Sequence, residues 1–253
     1  MADKTNLQDV QYDNRLWNLA GYGFGQQEAY FLQVSLKRLC CKENLKSLKF
    51  WGKIFCSKQN YFVAEGIHRN NVIDQVKENW EPAGAGCNAV SFWVTNAVME
   101  EWIELPVIGP EHLTVAIETK VMLTGDLNAP VFTHPAFPGK EKHYLKAQLT
   151  RITYASSLAP GGVYKINEEN DREIASDADF AWPGREELYT AEKWVHQHPQ
   201  ILRSGRITHY IPKNLDEEAA NELKGNLEEK EPYIERLRVV TEDARNFFPG
   251  PKS

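Results

Sequence analysis

The sequence predicts an α+β fold in which antiparallel β-hairpins form a meander packed with three or four amphipathic helices. Three observations carry that prediction. Two stretches, 47–66 and 89–105, each hold paired runs of aromatic and β-branched residues on either side of a polar turn, which is how a hairpin reads in sequence. Other stretches repeat apolar residues every three or four positions, the period of a helix face. The chain of 253 residues also carries seven Trp, ten Tyr and eleven Phe. Burying each such ring is worth about 2–3 kcal/mol, so most of them must form a core.

Residues 1–20 are polar until Leu16 and Trp17 and read as an N-terminal arm that docks by those two side chains. GYGFG (21–25) breaks regular structure. Beyond it Ala29, Tyr30, Leu32, Val34, Leu36 and Leu39 place apolar groups on most faces of a helix reaching about Cys41, so that helix is expected to be largely buried. In the hairpin SLKFWGKIFCSKQNYFVAEG the turn is SKQN, and both faces of each strand carry apolar residues, which implies cover on two sides. Residues 67–86 end in EPAGAG and read as a loop. The second hairpin has Phe92 and Trp93 in one strand, a turn near Asn96, and Trp102 and Ile103 in the return strand.

Gly109 and Pro110 then start a helix with the stripe Leu113, Ala116, Ile117 and Val121, ending by Gly125. The three prolines of DLNAPVFTHPAFPGK force an irregular, extended connection. Leu145, Gln148, Leu149 and Ile152 mark another helix, which stops before Pro160, and PGG turns into the short strand VYKI. The acidic stretch 168–180 reads as a solvated loop. Trp194, Val195, Ile201 and Leu202 suggest helical turns broken at Pro199, RITHYIP a last strand, and 213–253 an acidic tail, helical or disordered. The expected organisation is therefore an arm (1–20), a core domain (21–212) and a tail (213–253).

A net charge of -6 disfavours nucleic acid, because tracking phosphates needs clustered Lys and Arg. The basic residues Lys37, Arg38, Lys42, Lys46, Lys49 and Lys53 read instead as a solvated helix end. The N-terminus MADKTNLQDV lacks the apolar run of a secretory signal, and no window has the length of a membrane span, which points to the cytoplasm or the cytoskeleton. Cys40, Cys41, Cys56 and Cys87 show neither disulfide density nor CxxC spacing and read as reduced thiols.

Candidate chemistry is sparse. Gly21, Gly23 and Gly25 precede a helix but lack GxGxxG spacing and a preceding strand, so they read as a loop and not a phosphate cradle. His196, His198 and His209 are the only grouping that suggests a metal, yet two apart on a helix the imidazoles diverge. Neither GxSxG nor HExxH occurs. Ser156 and Ser157 read as helix-end residues, and the pairs Glu100 with Glu101 and Glu168 with Glu169 as solvated turns. No catalytic residue, cofactor or metal is expected. Aromatic side chains in the proline-rich loop can instead anchor another protein. Phe132 and Phe137, with His134 and Tyr144 beside them, are the candidate interface residues.

Five segments in combination and in this order, KFWGKIFCSKQNYFVAEG, GAGCNAVSFWVTN, WIELPVIGPEHL, LTGDLNAPVFTHPAFPGKEKHYLKAQLTRI and WVHQHPQILRSGRITHY, resemble the radial spoke head protein 4/6 family. With the GYGFG helix the resemblance covers residues 21 to about 212. It implies a structural scaffold of the axonemal radial spoke head, in cilia or flagella, where the head meets the central pair and helps regulate dynein-driven bending. The partners it implies are a 4/6 paralogue or a second copy, radial spoke head protein 9, the spoke stalk and central pair projections. No cofactor or catalytic residue comes with that family. Compared with it the chain is shortened at both ends and has only residues 67–83 where members carry a long acidic insertion. The rival readings are a small cytosolic metal- or ligand-binding enzyme using His196, His198 and His209, and an adaptor of the same fold outside cilia.

Overall fold

The computed structural model describes residues 5–69, 77, 80–155, 157–167, 174–197, 205–207, 215–230 and 237–241. The chain divides into two units: residues 1–148 with 204–210, and residues 149–203 with 211–253. The N-terminal stretch belongs to the first unit's sheet, and part of the tail supplies a strand to the second.

The first unit runs β1 (Asn6–Leu7), α1 (Val10–Leu19), α2 (Gln26–Lys42), β2 (Leu45–Ile54), β3 (Tyr61–His68), β4 (Ser91–Thr95), β5 (Ile103–Glu104), α3 (Pro110–Glu118) and the start of α4 (Glu141–Ala155). Strands β2 to β5 form the expected antiparallel meander, with β1 added in parallel at the β2 edge through Asn6↔Ser47 and Leu7↔Leu48. Asp9 caps α1 by accepting from the Gln11 and Tyr12 amides at 3.1 Å each. The described part of this stretch is thus tied to the first unit through β1 and α1. Val10 is in the core and Trp17 packs against it, as expected, but Leu16 lies exposed.

Helix α2 buries one stripe, Ala29, Leu32, Gln33, Ser35, Leu36 and Leu39, while Tyr30 faces solvent. The helix is therefore amphipathic and not buried all round, because α1 and the sheet cover only that side. Leu32, Leu36, Leu39, Leu45, Leu48, Phe50, Phe62, Ala64, Trp93 and Trp102 make the core between these helices and one sheet face. The Trp102 indole donates to Ser35 Oγ at 2.7 Å. On the opposite face, α4 meets the sheet through Tyr61, which donates to Glu141, and through Lys146, which lies over the Phe92 ring. Tyr61 to Ala64 are consequently all buried, matching the apolar residues on both faces of that strand.

Helix α3 opens at Gly109, whose amide donates to His112 Nδ1 at 3.1 Å. It ends at Glu118, a turn earlier than the stripe suggested, and Ile117 and Val121 are exposed. A second core gathers Cys87, Ile108, Leu113, Ala116, Phe137, Tyr144 and Ala147.

The second unit contains β6 (Ser157–Pro160), β7 (Tyr164–Ile166), β8 (Ile174–Ser176), β9 (Trp194–Gln197), α5 (Glu217–Lys230) and β10 (Leu237–Val239). β7 and β8 form a hairpin, so the acidic loop includes a strand. Residues 194–197, read as the opening of a helix, are instead the central strand between β6 and β10. Trp and Val suit a pleated ladder, and the pairing Leu158↔His196 and Arg238↔His196 is non-local, hence invisible to local periodicity. Ile201, Leu202 and most of RITHYIP lie outside the described residues.

Candidate interaction surface

The proline-rich connection is held by one carboxylate. Glu141, 3% exposed in the first turn of α4, accepts from the Thr124 amide at 2.9 Å, Thr124 Oγ1 at 2.8 Å, the Gly125 amide at 2.9 Å and Tyr61 Oη at 2.9 Å. A negative side chain at a helix N-terminus also meets the positive end of the dipole. Its own amide donates to Ala129 O at 2.9 Å, and Lys142 N to Leu127 O at 3.0 Å, closing the loop on itself. Gly125 has φ +94, and a Cβ there would stand 2.0 Å from Gln59 O, so no other residue fits.

Fixed in this way, the loop sorts the four candidate residues into two kinds. Phe132 is 85% exposed at its crest, and His134 is exposed beside it. Phe137 and Tyr144 are buried in the second core, their rings edge-to-face with centroids 5.2 Å apart. Tyr144 Oη donates to Thr119 O and accepts from the Val121 amide, both at 3.1 Å. These two rings support the loop from beneath, and of the four residues Phe132 and His134 are the exposed ones.

His112 and His143 stack under the same loop, centroids 5.3 Å apart, with Phe137 edge-on to His112. Burial lowers the pKa of both rings, and His143, further disfavoured by His112 and Lys142, falls from the usual 6.5 to about 4. The unfolded chain therefore takes up a proton near pH 6.5 that the folded chain refuses until about pH 4. Stability from this pair is complete above pH 6.5 and is lost as pH falls towards 4. Solvent reaches the half-buried His143, which leaves about 1–2 kcal/mol of the effect. Chemical denaturation between pH 7 and 4 is expected to follow that slope, and His143→Asn, which does not titrate, to flatten it.

A second surface feature has no counterpart among the sequence candidates. Trp17, Tyr22, Phe24, Phe50, Trp51 and Phe55 line a groove of about 510 Å³ at the junction of α1, the GYGFG turn and the end of β2. Its inner wall is ordered: Phe24 packs edge-on to Trp17 and Phe50, with centroids at 6.3 and 5.6 Å. The buried Asn14 amide pins the turn by accepting from Phe24 N at 2.7 Å and donating to Phe24 O at 3.0 Å. Along one side Lys53 pairs with Glu28 at 3.1 Å and lies 4.6 Å from the Phe62 ring centroid. The lips are bare, with Tyr22 at 87% and Phe55 at 76% exposure.

Two local features make this groove. The ladder passes from Phe50↔Ala64 to Gly52↔Val63, so Trp51 is an extra, bulged residue, and a bulge re-aims a side chain. Gly25 and Gly52 have open space where a Cβ would be, which keeps the groove clear. The readable signal was the density of rings around four glycines, but the bulge that brings Trp51 to the groove depends on register with a distant strand.

The remaining sequence candidates do not converge. His196 sits on β9, and His198 and His209 lie outside the described residues, as do Ser156, Glu168 and Glu169. Ser157 opens β6, and Glu101 forms an exposed ion pair with Lys42. The Phe24 amide, which a phosphate cradle would need, is taken by Asn14. Among the described residues no group of three or more His, Cys, Asp or Glu could hold a metal ion, and none of Cys40, Cys41, Cys56 and Cys87 is in a disulfide.

The chain matches the model of the radial spokehead-like protein family over residues 2–81 and 70–248. It is 29% identical to radial spoke head protein 6 homolog A of Mus musculus, covering 92% of this chain and 41% of that protein. It is 28% identical to radial spoke head protein 4 homolog A of Homo sapiens, covering 77% and 34%, and 26% identical to flagellar radial spoke protein 4 of Chlamydomonas reinhardtii, covering 92% and 54%. The chain thus spans about a third to a half of the length of these curated relatives.

Proposed function

This chain belongs to the radial spokehead-like protein family, and we propose that it is a non-enzymatic scaffold subunit of the axonemal radial spoke head, carrying mechanical signals between the central pair and the dyneins. The observation that carries the proposal is the family match, which runs through almost the whole chain in two overlapping segments. The architecture supports it. A meander with helices on both faces is stiff, and its bare aromatic side chains lie at the rim of that rigid frame and not around a reactive pocket.

In this reading the groove of Trp17, Tyr22, Trp51 and Phe55, together with Phe132 and His134 on the clamped loop, are the contact surfaces for other spoke head proteins. Rings held on a rigid support lose little entropy on binding, which is why they serve as anchors. The proposed partners are a paralogue or second copy from this family, radial spoke head protein 9, the spoke stalk and central pair projections. The proposed location is the axoneme of a cilium or flagellum. Among the described residues no helix is long and apolar enough to cross a membrane.

The test is complementation. The full chain, fluorescently tagged and expressed in ciliated cells lacking their own member of this family, is expected to remain with detergent-extracted axonemes and to restore beating. A diffuse signal that washes out with the detergent would contradict the proposal.

A further inference from the structure

Apart from the aromatic groove, the first unit holds a cavity of about 530 Å³ lined by Glu43, Asn44, His68, Ser91, Glu104 and Lys146, among others. Lys146 sets it apart. It projects from α4 and is only 2% exposed; its ammonium donates to Val90 O and lies 4.6 Å from the centroid of Phe92. A lysine ammonium has three N–H donors. One backbone carbonyl and one ring face are what it meets among the described residues, with no carboxylate at ion-pair distance.

The two carboxylates whose charge acts on Lys146 are held by other groups. Glu65 holds Lys49 at 3.1 Å, and Glu104 holds His68 at 2.9 Å. A buried charge without a counter-ion is costly, and the usual relief is an opposite charge brought close. Burial accordingly draws the Lys146 pKa down to about 8, against the opposing pull of Cys87, Glu104 and Glu65.

We infer that this cavity is a binding site for a carboxylate group, which Lys146 receives as its missing counter-ion. Two features narrow the ligand. The volume falls in the range of small-molecule pockets, so a carboxylate can enter with an organic body attached. Glu43 and Glu104 line the same space, and they repel a phosphate dianion about twice as strongly as a single negative charge. Asn44 and Ser91 offer further donors in the wall. The carboxylate can belong to a free monocarboxylic acid or to an acidic residue of a bound protein, and the chemistry at Lys146 is the same.

Lysine-selective NMR of the full chain tests this, following the Lys146 side-chain signal through a pH titration at constant ionic strength, with millimolar acetate, benzoate, a short acidic peptide or inorganic phosphate. The groups that titrate around it are Glu43, Glu65, His68, Cys87 and Glu104. A carboxylate is expected to raise the Lys146 pKa by about one unit, a tenfold preference for the charged form, and phosphate to raise it much less. If the peptide acts at tenfold lower concentration than acetate, the source is a protein; if acetate or benzoate acts and the peptide does not, it is a small acid. Lys146→Met should abolish binding of either. No shift with any carboxylate, or an equal shift with phosphate, overturns the inference. Both results are read on the unsubstituted chain, so they stand even if the variant fails to fold.

Discussion

Glu141→Ala is expected to destabilise the first unit by about 3–5 kcal/mol, because it strands several buried donors at once. Tyr61 Oη, Thr124 Oγ1 and the amides of Thr124 and Gly125 all end on that one carboxylate. Each buried donor left unpaired costs about 1–3 kcal/mol, and only part of that is recovered by water entering where the side chain was. A domain has about 5–15 kcal/mol in all, so the variant should lie near the edge of folding. Glu141→Gln keeps the shape and one acceptor oxygen and should lose roughly half as much. Urea denaturation of both variants, followed by tryptophan fluorescence, measures this. A loss below about 1 kcal/mol for the alanine variant would show that the carboxylate does not hold the loop.

Gly52→Leu is expected to do the reverse, leaving the fold intact while weakening association about 30-fold or more, the effect of losing a central anchor site. A Cβ at Gly52 meets nothing within 4 Å, so the side chain enters open groove instead of a packed core. The pair Tyr22→Ser and Phe55→Ser should act alike, since both rings are exposed and contribute little to stability. Phe132 and Phe137 offer the matching contrast within one loop. Phe132→Ala should weaken association alone, whereas Phe137→Ala removes a ring from the second core and should cost about 3–5 kcal/mol of stability. Thermal melts beside binding isotherms separate the two kinds of loss.

How legible each feature was depended on whether its cause was local. The hairpin of β2 and β3 could be read because SKQN and its flanking strands contain their own turn and pattern. Helix α2 was found with its ends nearly right, but how much of it is buried depends on α1, which the polar run of residues 5–19 concealed. β9 was misread because four residues carry too little period to separate strand from helix, and its partners β6 and β10 lie far away in sequence. Phe132 and Phe137 look equivalent as sequence, and which one is buried is decided by Glu141 some residues later. That clamp did leave a trace: Glu141, Leu145, Gln148 and Leu149 fall on one helical stripe, so Glu141 occupies a buried register position. Lys146 lies beside that stripe, and only the packing of α4 on β4 reveals that its ammonium is enclosed.

The most direct measurement mixes the purified full chain with the other radial spoke head proteins and weighs the product by light scattering after size-exclusion chromatography. A stoichiometric assembly that forms with the unsubstituted chain and fails with Gly52→Leu, while that variant melts at an unchanged temperature, is the predicted result. A chain that stays monomeric in the mixture, or an assembly indifferent to blocking the groove, would contradict the proposal that bare rings on a rigid sheet are how this protein joins its neighbours.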